Sequence, residues 1–507
     1  MRNLFAPAHL ALSAIILVWN LVLAGRIAQN SQAPRAFQAI SGLAALLLLP
    51  GLLFVLATST VMTGRAVAMM DWVWPVVLLL FAAQAVYALV RRLVNWAWGL
   101  PIAIYNLLIA TIAVTRYAVS HGATPPEPLV ALLAAQSLAM VFATTTASVL
   151  ATPLYLNMPM VSPAFPALLS VTTTFRLFMA IVAIAWSGFI LVIGGPRAVT
   201  QLRNYDLHRN DQLRERPESD FAIGLKILPD VRDPPPPAAI KSDSILRDTL
   251  DVDAIAVVVV PGATRAAIDS LVKVIESARR DSTILIAAIG YRGKLFPELH
   301  RSGGLDQAQR LTTLRMVMER LRPNIILPAE DPYGSGERAL GSLPPQQWEA
   351  YLTQAAKLAK NIDPRVRVGV SASAYTRNDS TLYAWAADSL SPIDIVGFSL
   401  FPSPYVGGGI QADTRTADRW LRATKPQKDH WIFATGGYPL SYGERSQENA
   451  VWEVLAWATD HPYIKGAVIY EAGDYGLARG LRAPDGRTRP VTERVITAIE
   501  QLRESAR

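Results

Sequence analysis

Two stretches near the carboxyl end decide the fold: residues 431–450, WIFATGGYPLSYGERSQENA, and residues 464–476, IKGAVIYEAGDYG. Trp431–Thr435 is apolar and is closed by two glycines, which predicts a short buried strand followed by a loop. Gln447–Thr459 repeats apolar residues at helical spacing, and Ile464–Tyr470 predicts a second strand. Strand, loop, helix and strand form the repeating unit of a (β/α)8 barrel.

The same alternation runs through residues 221–507 and predicts an α/β domain with the (β/α)8 TIM-barrel fold. Runs such as AVVVV and ILIAAI lack polar alternation, as strands covered on both faces do. An open doubly wound sheet is the alternative, but the first strand lacks a glycine-rich phosphate loop after it. The predicted strands are Phe221–Leu228, Ala254–Val260, Thr283–Ile289, Asn324–Pro328, Val366–Ser371, Asp394–Ser399, Trp431–Thr435 and Ala467–Tyr470. The predicted helices are Thr264–Ala278, Asp306–Leu321, Pro345–Ala359, Thr381–Ser389, Thr414–Arg422, Gln447–Thr459 and Val491–Arg503, and the first crossover, around Ser242–Leu250, is less clear.

The amino-terminal part is apolar enough to predict a polytopic transmembrane domain over residues 1–196, an α-helical bundle of about six spans. Each span is near the length that crosses a hydrocarbon core, and tryptophans lie at several span ends. The six stretches are His9–Gly25, Ile40–Thr58, Trp72–Val90, Trp98–Val114, Pro128–Leu150 and Leu168–Ile193.

Residues 197–220 are polar, with interspersed charges, and predict a juxtamembrane tether. Six spans place both ends of the chain on one side of the membrane. The short loops on the opposite side carry more arginines, which predicts an integral membrane protein of the cell inner or plasma membrane with an extracytoplasmic barrel. The arginines on the barrel side are Arg2, Arg65 and Arg116, and those opposite include Arg26, Arg35, Arg91 and Arg92.

Composition excludes several classes of function. The chain has no cysteine, so disulfides, thiolate catalysis and cysteine-ligated metals are absent. Its net charge of +8 is spread over both halves without a dense basic run, which argues against a nucleic-acid partner. The sequence predicts no cofactor and no metal; the expected partners are carbohydrate, the lipid bilayer and other components of an envelope complex.

Acidic and aromatic residues follow several predicted strands, where a barrel places its working side chains. Facing carboxylates among aromatic rings suit sugar chemistry, because one acid protonates the leaving oxygen while another carboxylate attacks or activates water. The candidate catalytic residues are Glu330, Glu471 and Asp474. The candidate substrate-binding residues are Tyr291, Arg292, Tyr333, Tyr375, Phe401, Tyr405, Thr435 and Tyr438.

Four segments of this carboxyl-terminal part, and of that part only, resemble glycoside hydrolase barrels with catalytic carboxylates on strands four and seven, such as β-1,3-glucanase-like and endo-β-1,4-galactanase-like enzymes. ILPAEDPYG has Glu330 where that family's acid/base glutamate ends strand four. DIVGFSLFPSPYVGG is similar to the strand-six segment, and WIFATGGYP to the strand-seven segment. GAVIYEAGDYGLARGLRAPDGRTRPV is similar to the last strand and the segment that closes the barrel.

Two positions depart from the family pattern. Thr435 stands where the resemblance places the nucleophilic glutamate, and Ala329 stands where an asparagine usually precedes the acid/base glutamate. Glu471, or Glu444 from the loop, would have to replace the missing nucleophile.

The resemblance implies a glycoside hydrolase or transglycosylase, and the apolar amino-terminal stretches predict that it is anchored in a membrane. It would act on or bind envelope or extracellular polysaccharide. Glu330 would be the general acid/base and Glu471 its partner. Strand eight lies four strands from strand four, so this pair predicts the wide spacing of an inverting enzyme, or a substrate group as the nucleophile. The alternative is a catalytically inactive barrel that binds glycan or scaffolds an envelope complex.

Overall fold

The structure is a computed structural model that describes most of residues 212–504 and parts of the first 200 residues, chiefly 34–40, 72–92 and 95–120. The gaps in the carboxyl-terminal part are 218–219, 228–236, 277–281, 292–303, 403–411, 425–426, 440–442, 474–479 and 484–485. Two compact units make up the chain, one mainly of residues 1–202 and the other mainly of residues 203–439 and 444–507.

Two helices of the first unit coincide with two of the six predicted spans. Helix α1 is Val73–Val90, and helix α2 is Trp96–Ser120. Within the described residues one helical stretch, Gly99–Ala118, is long and apolar enough to cross a membrane, and Pro75–Val90 is shorter. The structure therefore does not support the six-span bundle, whose other stretches lie wholly or largely outside the described residues.

The second unit is a closed barrel of eight parallel strands in sequence order, with β8 paired to β1. This topology confirms the predicted (β/α)8 barrel and excludes the open sheet. Each predicted strand is present, with ends that differ from the prediction by up to three residues. The strands β1 to β8 are Ala222–Lys226, Ala254–Val259, Ile284–Ile289, Ile325–Leu327, Arg367–Ala372, Ile395–Leu400, Asp429–Thr435 and Ile464–Ile469.

Helices connect the strands and cover the outside of the barrel. They are α3 Pro237–Leu250, α4 Arg265–Glu276, α5 Gln307–Leu321, α6 Ser335–Leu340, α7 Pro345–Ile362, α8 Arg377–Ala387, α9 Ala412–Thr424, α10 Glu444–Thr459 and α11 Pro490–Glu504. The less clear crossover is α3, which begins at Pro237, the last of four consecutive prolines in the sequence. A proline is tolerated there because the first helical amide has no partner within the helix. The short α6, which follows Glu330, was not predicted.

Two large rings from one strand fill the barrel interior. Trp431 and Phe433 stack with their centroids 6.4 Å apart and belong to the central cluster of buried residues. Glycines on three other strands make room for them: a Cβ on Gly466 would lie 2.6 Å from the Trp431 ring, and one on Gly397 would lie 2.6 Å from the Phe433 ring. On Gly369 it would lie 3.0 Å from Phe433. The barrel is thus a packed core.

The longest described stretch of the predicted tether, residues 212–217, is bound to the barrel. The buried guanidinium of Arg216 donates to four backbone carbonyls between the end of α10 and the start of β8. Arg214 adds a hydrogen bond from its amide to the Thr459 hydroxyl. These contacts lie at the amino-terminal rim of the barrel, because they involve residues that precede and begin β8. The acceptors of Arg216 are the carbonyl oxygens of Thr459, His461, Pro462 and Ile464.

Candidate functional site

The carboxyl-terminal rim of the barrel, here called the barrel mouth, is where the interior row of each strand ends. Side chains alternate between the two faces of a strand, so every second residue points into the barrel. Ala222 on β1, Ile395 on β6 and Val468 on β8 belong to the interior cluster, and counting in steps of two from them gives the last interior residue of each strand. These last positions are Lys226 on β1, Ser399 on β6 and Tyr470 just after β8. On β5, Gly369 faces the interior ring of Phe433, so Ser371, two residues later, is the last interior residue of that strand.

An ion pair crosses this mouth. Lys226 Nζ, at the end of β1, donates to Glu330 Oε1, which follows β4, and the two side chains are 4% and 15% exposed. The ammonium also lies 4.3 Å from the centre of the Tyr470 ring, within cation–π range. Glu330 is thus a mouth residue bound to a buried cation. Sequence reasoning missed Lys226, although its two-residue spacing from Ala222 and Gly224 marked it as an interior position.

A buried arginine fixes the strand ends that carry Glu330. Arg310, on α5, donates to the carbonyl oxygens of Gly290 at 2.9 Å, Ile289 at 3.0 Å and Pro328 at 2.9 Å. The Glu330 amide donates to the Ile289 carbonyl at 3.1 Å, so the same strand end holds both residues. Strand ends that point their carbonyls outward suit a guanidinium, which carries five donors in one plane.

The next residue, Asp331, turns to the other side of the mouth. Its backbone has φ +41°, a left-handed conformation that aspartate adopts more readily than most residues. Its Oδ1 accepts from the hydroxyls of Ser371 at 2.7 Å and Ser399 at 2.5 Å. Two consecutive acids are therefore bound from different sides of the barrel, Glu330 from β1 and Asp331 from β5 and β6.

A second aspartate shapes the loop after β5. The buried carboxylate of Asp379 accepts from the amides of Ser373, Ala374 and Tyr375 at 2.8–2.9 Å. Burial raises the pKa of Asp379 to about 6, against the lowering effect of these three donors. The loop holds Tyr375 so that its hydroxyl donates to the Ser399 carbonyl at 3.0 Å. Burial raises the pKa of Tyr375 well above its ordinary value.

Three half-buried aromatic rings lie together where β6, β7 and β8 end. Phe401 lies edge-on to Tyr470 at 5.4 Å and 6.3 Å from Tyr438. A Cβ on Gly436 would come within 3.2 Å of Phe401, so the glycine lets this ring approach strand β7. Through Tyr470 the aromatic group adjoins the Lys226–Glu330 pair. Rings that are partly open beside polar groups are typical of sites that bind amphipathic ligands.

Thr435 lies at the predicted strand-seven site but does not point into the mouth. A bulge in β7 shifts its pairing, so that Ala434 lies opposite Ser399 and Thr435 opposite Leu400. Paired residues of neighbouring strands project to the same face, and Leu400 alternates with the interior Ser399. Thr435 therefore faces the helices; it is fully buried, and no described residue hydrogen-bonds its hydroxyl.

The two replacement carboxylates have different environments. Glu471 follows Tyr470 through a cis peptide bond, and it is only 3% exposed. The next residue, Ala472, donates its amide to the Lys226 carbonyl at 2.9 Å, so Glu471 lies at the β1 side of the mouth. Glu444 is bound by Arg487 at 2.6 Å, and Arg489 lies 3.5 Å away. The structure therefore gives Glu444 a place in an ion-pair network of the closing segment.

Two predicted sugar-binding tyrosines make packing contacts; Tyr333 is buried and Tyr291 is half-buried. Tyr291 lies 4.7 Å below the Arg310 guanidinium and edge-on to Trp348, and burial raises its pKa. Tyr333 is buried, and its hydroxyl donates to the Leu343 carbonyl at 3.0 Å. Both rings stabilise the segments around β3 and β4. Asp474, Arg292 and Tyr405 lie outside the described residues.

Metal coordination has no candidate in the part of the chain that the structure describes: no group of three or more His, Asp or Glu side chains there is placed to hold an ion. The described residues of the mouth offer an ion pair, hydroxyls and aromatic rings.

No family model matches the chain, and no curated protein matches it. Several solved structures have a similar barrel. A β-glucuronidase from Bacteroides uniformis is 14% identical with a TM-score of 0.41, over 54% of this chain and 34% of that protein. An exo-β-1,4-mannosidase from Opitutaceae bacterium strain TAV5 is 13% identical with a TM-score of 0.43, over 58% and 61%. A GH39 enzyme from Xanthomonas axonopodis pv. citri is 13% identical with a TM-score of 0.44, over 57% and 68%.

Proposed function

We propose that the barrel binds carbohydrate at its mouth and does not cleave it by the two-carboxylate route. The observation that carries the proposal is the Lys226–Glu330 ion pair beneath Tyr470, beside the Phe401 and Tyr438 rings. Aromatic faces stack on the apolar faces of sugar rings, and charged groups and hydroxyls bind their hydroxyl groups. The described mouth residues supply both kinds of contact.

Two features argue against hydrolysis. The Glu330 carboxyl, which a glycosidase would use as its acid, is bound by the buried Lys226 ammonium. The strand-seven position that would carry a nucleophile is Thr435, which pairs with Leu400 on the outer face of the barrel. The mouth thus keeps groups that bind a sugar, while strand β7 has Thr435 in place of a carboxylate.

A hydrolase remains the second candidate because Glu471 follows β8 at the same rim, where the amide of its neighbour Ala472 donates to the Lys226 carbonyl. In this version Glu471 would be the acid, and Glu330 would be the base or nucleophile. This version reverses the role that the sequence resemblance implies for Glu330.

We also propose that residues 1–196 anchor the protein in a membrane and that the barrel lies outside the cytoplasm, where it meets envelope or extracellular polysaccharide. The apolar stretches and the arginine bias of the short loops support this placement. A role as a scaffold for an envelope complex is compatible with the same arrangement.

Isothermal titration of the purified full-length chain with neutral hexasaccharides tests the binding proposal. Phe401→Ala removes a mouth ring and is expected to weaken binding at least about tenfold, the scale of one well-packed aromatic contact. Tyr463→Ala is the matched control, because Tyr463 is 49% exposed but precedes β8 at the opposite rim. Equal affinity of wild type and Phe401→Ala would place the ligand elsewhere.

A further inference from the structure

Hydrogen bonds fix both the backbone and the side chain of Asp331. Its amide donates to the Ser371 hydroxyl at 3.2 Å, and its carbonyl accepts from the amides of Gly334 at 3.0 Å and Gly336 at 2.9 Å. With two hydroxyls on Oδ1, five hydrogen bonds fix this residue. The side chain therefore has one orientation set by the barrel.

The two carboxylate oxygens of Asp331 are not equivalent. The Ser371 and Ser399 hydroxyls occupy both acceptor positions of Oδ1, and these serines are buried at the ends of β5 and β6. No described residue donates a hydrogen bond to Oδ2. An ionised carboxylate accepts about four hydrogen bonds, so half of the capacity of Asp331 is left for a molecule in the mouth.

The two serines that donate to Oδ1 show where the Asp331 carboxylate lies in the barrel. Both serines occupy the last interior positions of their strands, so the Asp331 carboxylate sits above the barrel interior. Ser399 immediately precedes Leu400 and Phe401, and it also receives the Tyr375 hydroxyl on its carbonyl. One chain segment therefore carries both a partner of Asp331 and a ring of the aromatic group.

We propose that Asp331 Oδ2 is a hydroxyl-binding group of the mouth and that it selects neutral sugars over acidic ones. This inference rests on the proposed carbohydrate-binding function and names its ligand class. A sugar ring near Phe401 can donate one or two hydroxyls to a fixed carboxylate oxygen, and charge-assisted bonds of this kind are the strong ones. A uronate at the same place would put two anions side by side, and its carboxylate has no hydrogen to donate. Lys226 does not offset this repulsion because it is paired with Glu330.

Titration of the full-length chain with laminarihexaose, a β-1,4-galactohexaose and hexagalacturonate tests the inference. We expect at least one neutral hexasaccharide to bind about tenfold or more tightly than hexagalacturonate. Asp331→Asn is expected to weaken the binding of the neutral hexasaccharide at least about tenfold. It should also reduce the ratio of the affinity for the neutral hexasaccharide to the affinity for hexagalacturonate. Asparagine tolerates a positive φ, so the variant keeps the backbone conformation. Asp269→Asn, a surface acid paired with Arg320, controls for the lost charge.

The outcomes separate this inference from the function on which it rests. If wild type binds a neutral hexasaccharide and Asp331→Asn binds it equally well, the role of Asp331 is refuted while carbohydrate binding stands. Tighter binding of hexagalacturonate than of either neutral probe by wild type refutes the selectivity, even if Asp331→Asn does not fold. Binding of none of the three probes refutes both.

Discussion

Lys226 Nζ and Glu330 Oε1 form an ion pair that joins strand β1 to the segment after β4 across the barrel mouth. The ammonium is nearly fully buried and also touches the Tyr470 ring. Removing one member of such a pair leaves the other charge in a poorly solvated place, whereas removing both does not. The pair therefore links the stability of the barrel to the chemistry of its mouth.

Lys226→Met should destabilise the barrel by about 3 kcal/mol, because it leaves the Glu330 carboxylate without its cation. The double variant Lys226→Met/Glu330→Gln should cost less than Lys226→Met alone. Urea unfolding of the four proteins in a double-mutant cycle measures this difference. If the losses in the free energy of unfolding of the two single variants add up to the loss of the double variant, the two side chains do not stabilise each other.

Gly397→Ala should destabilise the barrel by more than about 3 kcal/mol, at or above the upper end of ordinary overpacking. The new Cβ would lie 2.6 Å from the Phe433 ring and would also meet the Trp431 carbonyl. Gly42→Ala is the control, because no described residue outside its own stretch of helix lies within 4 Å of the added Cβ. Thermal unfolding checks both; a soluble Gly397→Ala protein with the wild-type midpoint would contradict the packed interior.

His430 should make the barrel less stable as the pH falls from about 6.5 to about 4. Its Nε2 accepts from the Tyr383 hydroxyl and its Nδ1 donates to the Lys428 carbonyl, both at 2.9 Å. Burial lowers its pKa to about 4, so the unfolded chain takes up a proton in this window while the folded protein does not. The stabilisation is complete above pH 6.5, and the loss amounts to about 3 kcal/mol.

The His430 effect is isolated by comparing wild type with His430→Gln at pH 7 and pH 4.5. Burial raises the pKa of Asp379 and Asp413 to about 6. These two carboxyls make the folded state more stable as the pH falls, and they do so equally in wild type and in His430→Gln. We expect the stability of wild type to fall more on acidification than that of the variant. Parallel pH dependences would show that His430 is protonated in the folded state.

A single cysteine in this cysteine-free chain tests the membrane orientation. Leu390→Cys lies at a site that is 93% exposed, and an impermeant maleimide should label it in intact cells if the barrel is extracytoplasmic. Ala355→Cys, at a fully buried site, should remain unlabelled in both intact and lysed cells. Labelling of Leu390→Cys only after lysis would place the barrel inside.

The sequence predicted the barrel because its strands are short apolar runs separated by helices of regular spacing. Such local patterns identify elements, and closure follows from their number and order. The same patterns placed Glu330 and Glu471 at strand ends. The transmembrane part stays a prediction, since most of its stretches lie outside the described residues.

The pairing of side chains in the mouth was not predictable in the same way. Asp331 binds Ser371 and Ser399, which lie 40 and 68 residues further along the chain, so only the closed sheet brings them together. The outward direction of Thr435 depends on a bulge, and nothing in Trp431–Thr435 signals the extra residue. Lys226 ends an apolar strand, and its interior position follows only from counting every second residue along that strand.

The most direct test of the account measures binding and cleavage in the same sample. The full-length chain is incubated with a neutral hexasaccharide at a saturating concentration established by titration, and released reducing ends are quantified for wild type and Glu330→Gln. We expect a saturable wild-type complex and no product above the blank from either protein. Product formed by wild type and abolished in Glu330→Gln would contradict it and would establish a hydrolase that depends on Glu330.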